Sequence, residues 1–203
     1  MKFYQLNFNE EYGDVGDSCE NVESIHCDHC DLNHSPLAGK YFSPEDWMKK
    51  LHADIYEPFN SPLMDIGSLL IARNDFINLL NQNNVTGYEV SDMKLTYRPD
   101  YNEEQEIEIS GYSWLKIIGR CTTNDVWSKI ESICPKCHTA KTKSIYQPYR
   151  KIIIQKPIPK TDFNRTREPQ AGVIISEKIV NLLTDNFPEN INEYKFKELE
   201  ITA

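Results

Sequence analysis

The chain has 203 residues, with 22 Lys and Arg against 31 Asp and Glu, a formal charge of -9. Apolar residues make up 39% and aromatics 11%; this excludes a disordered or collagen-like chain and is enough to bury a core without disulfide staples. No apolar run approaches the roughly 18–20 residues of a membrane helix, so no membrane role is expected.

The opening Met1-Lys2-Phe3-Tyr4-Gln5-Leu6-Asn7-Phe8 reads as a first strand. It lacks the apolar stretch of a secretory signal, so a cytoplasmic, reducing setting is expected. Ser43 followed by Pro44, Glu45 and Asp46 carries the marks of a helix start, since Pro suits the first helical position and acids suit the first turn. A helix is predicted from Ser43 to the residue before Pro58, with His52 on its surface. The apolar run 69–71 reads as a strand, and Asn74 is placed to cap the helix that follows. Phe76, Ile77, Leu79 and Leu80 give that helix an apolar face. Asn83 and Asn84 end it, and 88–95 alternates as a return strand. Strands are predicted over 106–118 and 144–155, with a short helix over 123–133. The same order then returns: a strand at Val173-Ile174-Ile175, a cap at Ser176, a helix face of Ile179, Val180, Leu182 and Leu183, an end at Asp185 and Asn186, and a return strand over 194–201.

Residues 70–80 align with 173–183 at an offset of 103. This is either an internal duplication, with halves of about 1–100 and 101–203, or a chance likeness of two amphipathic segments. No linker marks a domain cut. The prediction is a single α+β domain over 1–203 with a mixed sheet and strand-helix-strand units.

The cysteines are Cys19, Cys27, Cys30, Cys121, Cys134 and Cys137. Four form two Cys-x-x-Cys pairs, a spacing that lets both thiolates of a tight turn reach one ion. Two such turns supply the four soft ligands that tetrahedral zinc prefers. His26, His29, His34 and His138 lie beside the pairs. A thioredoxin-like redox pair is the rival reading, although here there are two pairs. Between Cys30 and Cys134 lie 103 residues, so one shared zinc on Cys27, Cys30, Cys134 and Cys137 would tie the halves together in a zinc-ribbon-like region. The alternative is two sites, one from Cys27, Cys30, His34 and Cys19, the other from Cys134, Cys137, His138 and Cys121. In the shared arrangement, Cys19 and Cys121 are ordinary small buried residues. The zinc is expected to be structural. A zinc deaminase needs a His-x-Glu before a Pro-Cys-x-x-Cys, and here Pro135 follows Cys134 and no His-x-Glu exists. Phosphate loops and nucleophile elbows are absent too, and no enzyme is expected.

Charge is uneven. The stretch 136–167 holds nine basic residues and one acid, Asp162. Beside a zinc knuckle it could serve nucleic acid, but the acidity of the whole chain opposes phosphate binding. Nucleic acid is the alternative, not the expectation. The stretch 100–108 holds Asp100, Glu103, Glu104, Glu106 and Glu108. It reads either as a solvated hairpin loop or as a surface steering a basic partner. Asp100, Tyr101, Glu103, Glu104 and Glu106 are the partner-contact candidates, with aromatic anchors nearby at Tyr97, Tyr112 and Trp114.

The opening Met1–Leu6 residues, the two Cys-x-x-Cys pairs about a hundred residues apart, and the closing stretch from Asp162-Phe163 through Val173 to Leu199 resemble the double-CXXCG motif family. The family's motif glycine is replaced here by Asp31 after the first pair and His138 after the second. The family comprises immunity proteins against contact-delivered bacterial toxins of swarming-inhibition and polymorphic-toxin systems. The resemblance implies an antidote whose partner is a cognate protein toxin, with Cys27, Cys30, Cys134 and Cys137 as the paired motif.

Overall fold

The structure, a computed structural model, describes residues 1–9, 13–15, 20–21, 25–29, 32–34, 48–56, 59–66, 69–99, 106–121, 123, 128–133, 135, 140–144, 153–154, 156–166 and 172–201. In chain order the strands begin with β1 (Phe3–Phe8), β2 (Gly13–Val15), β3 (Glu20–Asn21), β4 (Ile25–Cys27), β5 (Leu32–His34), β6 (Met48–Ile55), β7 (Leu63–Ile66) and β8 (Leu69–Arg73), and helix α1 (Asn74–Gln82) follows. Next come β9 (Tyr88–Ser91), β10 (Met93–Tyr97), β11 (Ile107–Ile109), β12 (Tyr112–Ile117), β13 (Arg120–Cys121), β14 (Ser128–Ile133), β15 (Ala140–Ser144) and β16 (Ile153–Ile154). The last part holds β17 (Phe163–Thr166), β18 (Val173–Ser176), helix α2 (Glu177–Asn186), a 3-10 turn at Pro188–Glu193, β19 (Tyr194–Glu198) and β20 (Glu200–Ile201). The protein is mixed α+β, mostly strand, with several sheets.

Two sheets share one plan. The first has the order β7-β8-β12-β9, and the second has β17-β18-β1-β19 with β13 added outside β17. In each, a strand leads into a helix and a return strand, and an antiparallel strand is inserted between the two. The registers agree as well. Ile117 faces Tyr88 in the first sheet as Phe8 faces Tyr194 in the second. Tyr112 faces Arg73 as Phe3 faces Ser176, and Leu63 faces Ala72 as Phe163 faces Ile175. The units interleave in the chain, because the inserted strand of the second is β1, the first strand of the sequence.

Burial explains why these segments are strands. Leu70 and Ala72 of β8 face one core together with Val173 and Ile175 of β18, Phe76 and Leu80 of α1, and Ile179 and Leu183 of α2. Their neighbours point the other way. Leu69 and Ile71 join Leu51, Ala53, Ile55, Leu95 and Trp114 in a second core, and Ile174 joins Phe3, Cys121, Ile154 and Leu199 in a third. A strand covered on both faces is apolar at every position rather than at alternate ones. That is the character of Leu69-Leu70-Ile71-Ala72 and of Val173-Ile174-Ile175.

The two units meet at a seam around Asp162, which is 5% exposed. Its carboxylate accepts from Ser176 Oγ at 2.7 Å, from the Thr86 amide at 3.0 Å and from Thr86 Oγ1 at 3.2 Å. Phe163 N–H donates to Thr86 O, and Arg165 N–H to Gly119 O. A Cβ on Gly87 would stand 2.2 Å from Phe163 O, and one on Gly119 would stand 2.0 Å from it. Only glycine permits that approach, and Gly87 also holds φ at +94°.

Several expectations are corrected. The helix predicted from Ser43 is a strand where it is described, β6 (Met48–Ile55); residues 43–47 lie outside the described part. Leu51, Ala53 and Ile55 face the second core while Lys50, His52 and Asp54 face away, a period of two that outweighs the cap signals. His52 is therefore not a surface residue, being 6% exposed. Of the helix predicted over 123–133, the described residues are the strand β14 and Thr123, which bridges Ile154. The register of β14 slips between Ile130 and Ser132. The 106–118 strand is divided by a turn, with Gly111 at φ +90°. Of 144–155, only Ser144 and Ile153–Ile154 are described, each in a strand. Both predicted caps fail. Arg73 holds the N-cap place of α1, without a side-chain cap bond. Ser176 does hold that place for α2, but its hydroxyl goes to Asp162.

Candidate functional site

Cys27 of the first Cys-x-x-Cys pair closes β4 opposite Leu32 in the β4–β5 hairpin. Asp28 and His29 of the turn are exposed. Cys30, Cys134 and Cys137 lie outside the described residues, as does Cys19. The flanking strands of both pairs are described, and their registers match. His26 faces Asn33 in the first hairpin, and Ile133 faces Ala140 in the second. Each of those pairs encloses six residues, 27–32 and 134–139. Cysteines are the first and fourth of the six in both. In sequence, each hairpin therefore brackets one Cys-x-x-Cys pair at the same offset from its strand pairing. Among the described residues, no group of three or more His, Cys, Asp and Glu is close enough to hold a metal. Four thiolates, two from each Cys-x-x-Cys pair, would make a donor set that suits zinc.

Of the remaining candidates for a metal, Cys121 is 3% exposed and packed with Phe3, Ile154, Ile174 and Leu199. It serves there as a small apolar filler.

The acidic stretch begins in the connection of the β10–β11 hairpin, with Tyr97 facing Ile107. Asp100, Tyr101, Glu103 and Glu104 lie outside the described residues. Glu106 is described, and it is engaged. Its carboxylate accepts from Lys94 Nζ at 2.8 Å, stands 3.6 Å from Arg98 Nη2, and accepts from Thr96 Oγ1 at 3.5 Å. The Lys94 bond holds the Glu106 carboxyl below its ordinary range, and the same contact raises Lys94. Tyr112, an aromatic anchor candidate, stacks edge-on with Phe59 at 5.0 Å. Trp114 is wholly buried, so it supports the sheet and offers no anchor to a partner.

Glu106 belongs to a polar face that the sequence reading missed. Asp54 and His52 are 4% and 6% exposed. His52 Nε2 lies 3.0 Å from Thr96 Oγ1 and 3.2 Å from Asp54 Oδ1, and Asp54 Oδ2 lies 3.2 Å from Arg98 Nη1. The chain His52–Asp54–Arg98–Glu106–Lys94 runs across β6, β10 and the entry to β11. The sequence signal for it is the alternation Lys50, His52, Asp54, which reading 43–57 as a helix conceals. Beside this face opens a cleft of about 560 Å³, lined by Lys50, Leu51, His52, Ser91, Asp92, Met93 and Lys94.

Within the basic stretch 136–167, Lys156 and Lys160 are exposed, whereas Arg165 is 5% exposed in β17. Lys141 and Lys143 lie on β15, and Lys136, Arg150, Lys151 and Arg167 are outside the described residues. No helix among the described residues is long and apolar enough to cross a membrane. No family model and no curated protein matches this chain.

Proposed function

We propose that this chain is an immunity protein: a non-enzymatic binder that neutralises a cognate bacterial toxin, on a scaffold pinned by structural zinc at Cys27, Cys30, Cys134 and Cys137. The observation that carries the metal part is the matched phase of the two hairpins around their cysteines. Zinc held by four thiolates has no open position and contributes folding energy rather than catalysis. The antidote part rests on the resemblance to the double-CXXCG motif proteins. The stretches that carry this likeness also meet in space, since β1 from the opening lies between β18 and β19 from the close. The chain's role in neutralisation is to present a rigid, acidic surface. Rigidity limits the ordering cost of association, and negative charge speeds capture of a basic toxin. Residues 100–106 of the acidic stretch are the proposed contact.

Two measurements test the proposal separately. Elemental analysis of the purified protein should find about one zinc per chain for the shared site; two would favour separate sites, and none would remove the metal. Expression should rescue cells from the toxin encoded beside the gene, and failure to rescue would remove the antidote role.

A further inference from the structure

We propose that the outer edge of β9 (Tyr88–Ser91) docks a basic, extended segment of a partner polypeptide by strand addition; the choice of partner rests on the toxin-binding reading above. Among the described residues, β9 and its counterpart β19 are the last strands of their sheets, and no strand pairs with their outer sides. The hydrogen-bond phase shows what β9 offers. Ile118 N–H bonds Gly87 O, so the alternation of the antiparallel ladder puts its bonds at Glu89 and Ser91. The N–H and C=O of Tyr88 and Val90 then point outward, away from β12. An extended peptide can close those groups as a fifth strand.

The two edges are guarded differently. The register equivalence of Tyr88 with Tyr194 sets Glu89 against Lys195, Val90 against Phe196 and Ser91 against Lys197. Two exposed lysines on β19 are a common device that repels an approaching strand. β9 lacks them. Its edge instead exposes Val90 at 46%, with Ile118 at 50% beside the start of the strand. The cleft lined by Ser91, Asp92 and Met93 adjoins its other end. The charge on this edge is acidic. Glu89 and Asp92 are exposed. Lys116, opposite Glu89 in the ladder, has its ammonium 4.2 Å from the Trp114 ring centroid. A second copy fits poorly. The register that pairs the outward Tyr88 and Val90 with each other places Glu89 opposite its own copy, a like-charge pair that destabilises a sheet. A partner strand with a basic residue there, and an apolar one at Val90, meets both needs.

Proline provides the test. Val90→Pro removes an N–H that no ladder bond among the described residues uses, and edge strands tolerate proline. The probe is the purified protein encoded beside the gene, titrated by calorimetry. The expected result is at least about tenfold weaker binding by Val90→Pro with an unchanged melting curve. Glu89→Lys should weaken binding similarly and flatten its salt dependence, and it decides the matter if Val90→Pro does not fold. Wild-type affinity in a folded Val90→Pro would overturn the edge while leaving the antidote role standing. Absence of any binding by the wild type would overturn both. A dimer in light scattering that Val90→Pro disperses would assign the edge to a second copy and overturn the partner proposed here.

Discussion

Replacing Asp162 tests how the two units are joined. Asp162→Ala deprives three donors of their acceptor: Ser176 Oγ at 2.7 Å, the Thr86 amide at 3.0 Å and Thr86 Oγ1 at 3.2 Å. The Thr86 side chain is exposed and can turn to water. Ser176 is 0% exposed, and the Thr86 amide is partly buried. Each unsatisfied donor costs roughly 1–3 kcal/mol. The freed Ser176 hydroxyl can then cap α2, returning up to about 1 kcal/mol. The net expected loss is about 3 kcal/mol, a fall in Tm of roughly 6–12 °C for a chain of this size. Asp162→Asn should cost about 1 kcal/mol, because the carboxamide oxygen can still accept from Thr86 and its NH2 can donate to Ser176 Oγ. Urea denaturation with Asp162→Ala, Ser176→Ala and the double variant completes the cycle, and a coupling of about 1–2 kcal/mol is expected. A loss below about 1 kcal/mol for Asp162→Ala, or strict additivity with Ser176→Ala, would refute the seam.

Cys134→Ser should lower the melting temperature and the zinc content together, since loss of one thiolate is linked to folding; an unchanged melting curve would count against a structural metal. Arg73 holds the Asp75 carboxyl below its ordinary value of 3.8, chiefly through a bidentate bond at 2.8 Å. Stability from this pair is therefore present above about pH 4 and is lost as pH falls through the folded-state value. The Asp75 side chain is 54% exposed, so the contribution is at most about 1 kcal/mol; Asp75→Asn should flatten that part of an acid titration of stability, and an unaltered slope would contradict it. Gly87→Ala forces a Cβ to 2.2 Å from Phe163 O at a positive φ. It should cost about 3 kcal/mol or more in chemical denaturation, and a loss under about 1 kcal/mol would show that the seam yields.

The strand-helix-strand units were legible because their signals are local. Leu69 to Ala72 is an unbroken apolar run, and Phe76, Ile77 and Leu80 recur at helical spacing. The same holds for Val173 to Ile175 with Ile179 and Leu183. Signals that conflict locally misled. Pro44, Glu45 and Asp46 spoke for a helix, but the alternation over 48–55 prevailed because Leu51, Ala53 and Ile55 fill the core beneath Trp114. For the candidate site, the cysteine spacing named the thiol pairs, and the described hairpins supply their matched phase. The buried pair His52 and Asp54 was hidden by the wrong period.

By itself the sequence determined the units and their helical faces, because periodicity depends on neighbours a few residues apart. Tertiary structure alone decided that β1 joins strands from the other end of the chain and that β12 parts β8 from β9. Those choices depend on burying both faces of each sheet at once, a condition set by residues far apart in the chain.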